Sequence, residues 1–169
     1  MGKRFVLIGA NFSANGIAPE STVNWYIDNC TSSPSSGYLQ QANLANGGWA
    51  YKSGLNSLIQ GKTINRIKMI PSAAGVMNVY KCTLHSGPVT LAASFNIPAN
   101  RIGLITTFEI PSISIGSSEI LVLGEANSAG GFYFINGGSG YPGFYTKIPS
   151  SPLSVGAAYD MNVSIGYYA

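Results

Sequence analysis

The chain has 169 residues, 46% of them hydrophobic and 9% charged, with a net charge of +3. That length fits one domain with a real core; the hydrophobic content excludes a disordered chain, and the scattered Lys and Arg exclude a nucleic-acid-binding arm. An ordinary soluble domain is about 25% charged, so Ser, Asn, Thr, Gly and Tyr must cover this surface, and such a surface repels other copies only weakly.

The chain opens M-G-K-R-F-V-L-I-G-A, with an apolar stretch of four residues, Phe5 to Ile8. That is too short for a signal-peptide core or a membrane span, and Val6 stands where a myristoylation start wants Ser or Thr. The expectation is a chain made in the cytoplasm, without export and without a membrane partner. Cys30 and Cys82 are too far apart for a C-x-x-C motif and are expected to stay reduced unless the fold brings them together. Phe5 to Ile8 reads as a short strand and Asn11 to Pro19 as a turn-rich loop. Residues 1–20 therefore read as an arm ahead of one domain, 21–169.

Val23 to Ile27 is the next strand, and Thr31 to Gly37 is a loop by composition. Gln40 to Trp49 has room for a brief helical turn. Lys62 to Ile70 is a strand with broken alternation, which requires two covered faces or a bulge between Ile64 and Ile67. Arg66 and Lys68 share one face of it, read as solvated. Pro71 to Gly75 turns the chain. Val76 to Leu84 and Val89 to Phe95 are strands around a turn at His85. Gly103 to Ile110 follows, then Glu119 to Leu123, whose consecutive apolar residues predict burial on both faces. Phe132 to Ile135 and Phe144 to Ile148 are short aromatic strands. The closing D-M-N-V-S-I-G-Y, from Asp160, alternates as a strand with one buried face. About ten short strands between Gly, Pro, Ser and Asn turns, with no helical stripe, predict an all-β fold. Among such folds the pattern favours a two-sheet, jelly-roll-like β-sandwich with the N-terminal strand added.

Catalytic sets are thin. His85 is the single histidine, it closes a strand, and no G-x-S-x-G elbow accompanies it. The six carboxylates show no pairing across a groove, Glu109 pointing to solvent or another subunit and Glu119 and Glu125 flanking a buried strand. There is no metal-ligand cluster, and the glycine-rich Gly137 to Gly143 lacks a P-loop ending. No enzyme activity, cofactor or metal is expected. A carbohydrate site wants an exposed aromatic ring beside amides. Trp49 with Asn46, Tyr51 and Asn56 qualifies by residue type, as do Tyr141 and Tyr145 with Asn136.

The opening G-K-R-F-V-L-I-G-A-N-F-S-A-N-G-I resembles the N-terminal arm of small β-rich virion proteins of phages infecting Bacteroidales, including crAss-like phages. The body is similar in style, in L-I-Q-G-K-T-I-N-R-I from Leu58, S-E-I-L-V-L-G from Ser118 and the closing strand. The resemblance implies a structural virion component, as a head fibre, capsid decoration or tail-associated protein, and a homotrimer. It implies attachment to other virion proteins through the arm residues Phe5, Leu7, Phe12, Asn15 and Ile17. The outer loops would touch host-surface glycans. A carbohydrate-binding β-sandwich module is the alternative expectation.

Overall fold

The computed structural model describes residues 23–30, 39–41, 48–51, 53–83, 89–124, 131–136, 143–146, 159–160 and 162–169. The strands are β1 (Asn24–Asp28), β2 (Leu39–Gln41), β3 (Gly48–Tyr51), β4 (Thr63–Met69), β5 (Pro71–Ala73), β6 (Gly75–Thr83) and β7 (Thr90–Ile97). They continue as β8 (Thr106–Ser114), β9 (Glu119–Gly124), β10 (Gly131–Asn136), β11 (Gly143–Thr146), β12 (Tyr159–Asp160) and β13 (Val163–Tyr167).

One sheet has the order β1-β13-β4-β8, and a second has the order β11-β3-β9-β6-β7. All pairings are antiparallel. The first strand of the sandwich pairs with the last, β1 with β13; then β3 pairs with β9, β4 with β8, and β6 with β7. This nested pairing, from the outermost strands inward, is the winding of a jelly roll. The all-β sandwich expected from the strand pattern is therefore the fold. A small third sheet, β12-β10-β2 with β5 also on β10, lies beside it.

The core lies between the two large sheets. Ile67 and Met69 of β4, Phe108 of β8 and Ile165 of β13 meet Met77 and Val79 of β6, Phe95 of β7 and Leu121 and Leu123 of β9. Phe95 and Phe108 touch across the sandwich, with ring centroids 5.1 Å apart. β9 is buried on both faces as its unbroken apolar run predicts, because Ile120 and Val122 join Ala50 and Cys82 in a second cluster on the other side of the sheet.

The broken alternation of Lys62 to Ile70 has its cause in both predicted devices. Ile64 and Ile67 are an odd number of residues apart yet share the core, and so are Ile110 and Ile113 on the partner strand β8. The ladder shifts register between Ile64 and Arg66, so the two strands jog together, with Pro111 in the β8 segment that absorbs the jog. Pro111 lacks the N–H a regular ladder needs, which suits it to an irregular position at a sheet edge.

Of Gln40 to Trp49, Gln40 and Gln41 belong to β2 and Gly48 and Trp49 to β3, and the room for a brief helical turn, residues 42–47, lies outside the described residues. Two expectations are corrected. The helix is α1 (Ser53–Ile59), which packs on β1 and β3. It is one short element carried by Leu55 and Ile59, which enter the core, and Gly61 after it takes φ 70, the left-handed conformation that ends helices. The closing strand is buried on both faces, since Ser164 and Gly166 are covered as fully as Val163 and Ile165.

Candidate functional site

The outer face of the β1-β13-β4-β8 sheet carries the densest polar arrangement among the described residues. Arg66 and Lys68 alternate with the core residues of β4 and stand on this face. They were expected to be solvated, but they are 5% and 4% exposed. Each buried cation is neutralised by a half-exposed acid on an edge strand of the same sheet. Lys68 Nζ donates to Asp28 Oδ1 of β1 at 2.9 Å, and Arg66 Nη2 lies 3.5 Å from Glu109 Oε1 of β8. Each also lies over an aromatic ring, Lys68 Nζ at 4.7 Å from the Trp25 centroid and Arg66 Cζ at 5.1 Å from that of Tyr168. A cation over a ring gains from the ring quadrupole where water is excluded.

Ser164 completes the lattice. Its hydroxyl donates to Asp28 Oδ1 at 2.8 Å and accepts from the Cys30 N–H at 2.9 Å. Burial pushes the Asp28 carboxyl up, but hydrogen bonds from Lys68 and Ser164 and the Lys68 charge outweigh it and hold Asp28 below its ordinary 3.8. Asn65 ties the end of the chain to β4, its Nδ2 donating to the Tyr168 carbonyl at 2.9 Å and its Oδ1 accepting from the Tyr168 N–H at 2.8 Å. Trp25 lies across Gly166, where an added Cβ would stand 2.8 Å from Trp25 Cε3 and 2.7 Å from the Asn24 carbonyl. Only glycine permits that approach. The Ser164 hydroxyl is committed at both ends to holding the first strand on the last. The arrangement is a staple between β1, β13, β4 and β8.

A third ion pair closes the β8–β9 connection. Lys81 Nζ donates to Glu119 Oε2 at 2.9 Å and to the Ser114 carbonyl at 3.0 Å, and the Gly116 N–H donates to Glu119 Oε2 at 2.7 Å. The Gly116 N–H, followed by Lys81, holds the Glu119 carboxyl below its ordinary 4.5.

The outer face of β6 and β7 carries uncharged residues, exposed at Val76, Leu91, Ser94 and Asn96 and half-buried at Asn78 and Tyr80. Val76, Asn78 and Tyr80 of β6 stand in register with Asn96, Ser94 and Leu91 of β7. Ser94 Oγ donates to Asn78 Oδ1 at 2.7 Å, and Asn78 Nδ2 donates to the Tyr80 hydroxyl at 3.4 Å.

The sequence-predicted sites fall as follows. The arm residues Phe5, Leu7, Phe12, Asn15 and Ile17, and Tyr141, lie outside the described residues. Trp49 and Tyr145, chosen from separate segments, are brought into register on β3 and β11, and Tyr51 pairs with Gly143. On its other side Trp49 is in register with Leu123, a core residue. Asn56 sits inside α1 and is 0% exposed, so it does not present its amide to a ligand at the surface. The β6–β7 set was missed, although Val76, Asn78 and Tyr80 already share one parity in the sequence. Cys30 and Cys82 are both buried and reduced. Among the described residues no group of three or more His, Cys, Asp or Glu gathers to hold a metal, and no helix is long and apolar enough to cross a membrane. The chain matches no protein family, no curated protein and no solved structure.

Proposed function

We propose that the chain is a non-enzymatic structural protein of a phage virion, a self-associating head-fibre, capsid-decoration or tail-associated component attached through its N-terminal arm. The observation that carries this reading is the jelly-roll winding, with β1 paired to β13 and β6 to β7 at its two extremes. Jelly rolls build capsid and lectin domains. Two further features support it. The most elaborate side-chain lattice is committed to clamping strands together. The low charge leaves little repulsion between copies, while Ile102 and Leu104 are exposed beside the connection that the Gly103 N–H ties to the Pro71 carbonyl.

The test is the mass of the untagged chain by light scattering behind a sizing column. A stable species at three times the 17.7 kDa chain mass is the expected result. A monomer at all concentrations overturns the self-associating reading. The second reading, a carbohydrate-binding module, is favoured by the uncharged outer face of β6 and β7.

A further inference from the structure

We infer that the outer face of β6 and β7 is a carbohydrate-binding surface that takes a neutral oligosaccharide. The inference rests on the glycan-contacting part of the function proposed above and assigns that contact to residues outside the loops and aromatic pairs that the sequence suggested.

The six positions form a grid of three cross-strand pairs, Val76 with Asn96, Asn78 with Ser94, and Tyr80 with Leu91. The centre is polar and fixed. The Ser94 hydroxyl donates to Asn78 Oδ1 at 2.7 Å, which sets the amide so that Nδ2 points to the Tyr80 hydroxyl at 3.4 Å. Unused capacity remains at the second amide N–H, the tyrosine O–H and the serine lone pairs. Donors and acceptors of both kinds side by side are what a sugar hydroxyl, itself donor and acceptor, requires. The ends are apolar. Val76 is 47% exposed and Leu91 57%, and they offer apolar area for the C–H face of a pyranose, while the half-buried Tyr80, packed on the Ile120 and Val122 cluster, presents its hydroxyl. From Val76 to Tyr80 the strand advances about 13 Å at ~3.3 Å per residue, long enough for a short oligosaccharide.

Charge decides the ligand class. The grid holds no acid and no base, and the nearest cation in sequence, Lys81, points to the other face and is bound to Glu119 and the Ser114 carbonyl. Arg66 and Lys68 are on the opposite sheet, closed by their acids. Among the described residues no cation on this face answers a carboxylate or a sulfate. Strand addition by a protein partner is disfavoured by the register shift between β6 and β7 at Val79 and Tyr80, a bulge that distorts the edge a new strand would need.

The experiment is an array of immobilised neutral and anionic oligosaccharides probed with the full chain, then with Asn78→Ala, Tyr80→Phe and Leu91→Arg. The expected result is retention on neutral glycans only, weakened about tenfold or more by each substitution. Leu91→Arg changes an exposed side chain that makes no core contact, so it keeps the test decisive if the other variants fail to fold. Retention on anionic glycans alone, retention unchanged in Leu91→Arg, or no retention on any neutral glycan overturns the inference. Light scattering on the same samples separates the two readings. A trimer that retains no glycan sinks this site and spares the virion reading, and a glycan-retaining monomer does the reverse.

Discussion

Asp28 and Lys68 show how a charge is kept inside this fold. Lys68 is buried and Asp28 is half-exposed, so removing either has unequal consequences. Asp28→Asn leaves a buried ammonium without its counter-charge. Breaking a fully buried pair in this way costs about 3–5 kcal/mol, and solvent screening of the exposed carboxylate lowers the expectation to about 1–2 kcal/mol. Lys68→Met leaves an acid that water reaches and is expected to cost less. Urea unfolding of the two variants checks the order, and a larger loss in Lys68→Met contradicts it. Asp28 and Glu119 are both held below their ordinary values of 3.8 and 4.5. Their stabilisation is therefore complete above those values and is lost as pH falls through the depressed folded ones. Stability is expected to be level down to about pH 5 and to fall below it, with a shallower acid limb in Asp28→Asn and Glu119→Gln. Identical acid limbs in all three proteins contradict this. At Gly166, an alanine Cβ would meet the Asn24 carbonyl at 2.7 Å and Val23 Cγ1 at 2.9 Å. Gly166→Ala should displace β1 from β13 and cost about 1–3 kcal/mol, as overpacking does, with a shifted tryptophan emission as Trp25 leaves Lys68.

Among the elements, the strands that alternate or run apolar were legible because their pattern is local. Glu119 to Leu123 predicted its own two-sided burial, and the odd spacing of Ile64 and Ile67 predicted the jog in β4. What covers a face was not legible. Arg66 and Lys68 read as solvated because their alternation says only that they oppose the core. Their partners arrive from β1 and β8, and the rings from Trp25 and Tyr168, all distant in sequence. The same holds for Ser164, whose acceptor Asp28 is 136 residues away. The helix α1 was missed because seven residues with only Leu55 and Ile59 entering the core make too short a stripe for helical periodicity. Trp49 and Tyr145 were each singled out, but their pairing across β3 and β11 is a property of register. At this scale the sandwich depends on the contact between Phe95 of β7 and Phe108 of β8. Phe108→Ala is expected to cost about 3–5 kcal/mol, measured by chemical denaturation. A loss under about 1 kcal/mol would mean that the two sheets close over the gap.

As a whole molecule, the protein has few charges, and among the described residues Arg66, Lys68 and Lys81 are each paired with an acid of the same chain. An assembly of such subunits should rest on apolar and uncharged contacts. Raising salt to about 1 M shortens the screening length to ~3 Å, yet it is expected to leave the light-scattering mass unchanged. Dissociation by salt points instead to ionic contacts between subunits. Edges are blunted at the same scale, since β1, β7 and β8 each end a sheet and each meets its neighbour through a register shift. That is a means by which β-proteins avoid uncontrolled edge-to-edge growth. Of the two large sheets, the first has its last strand, β13, in its interior between β1 and β4. Deleting residues 163–169 is therefore expected to abolish the cooperative thermal transition, and a sharp melt in the shortened chain contradicts this. The position of β13 also sets a schedule for biosynthesis. While the polypeptide is still on the ribosome, β1 and β4 have emerged but lack the strand that joins them, and Asp28 waits for Ser164. Until translation has passed residue 167 the first large sheet cannot close over the core, and its apolar strands stay open to chaperones and proteases.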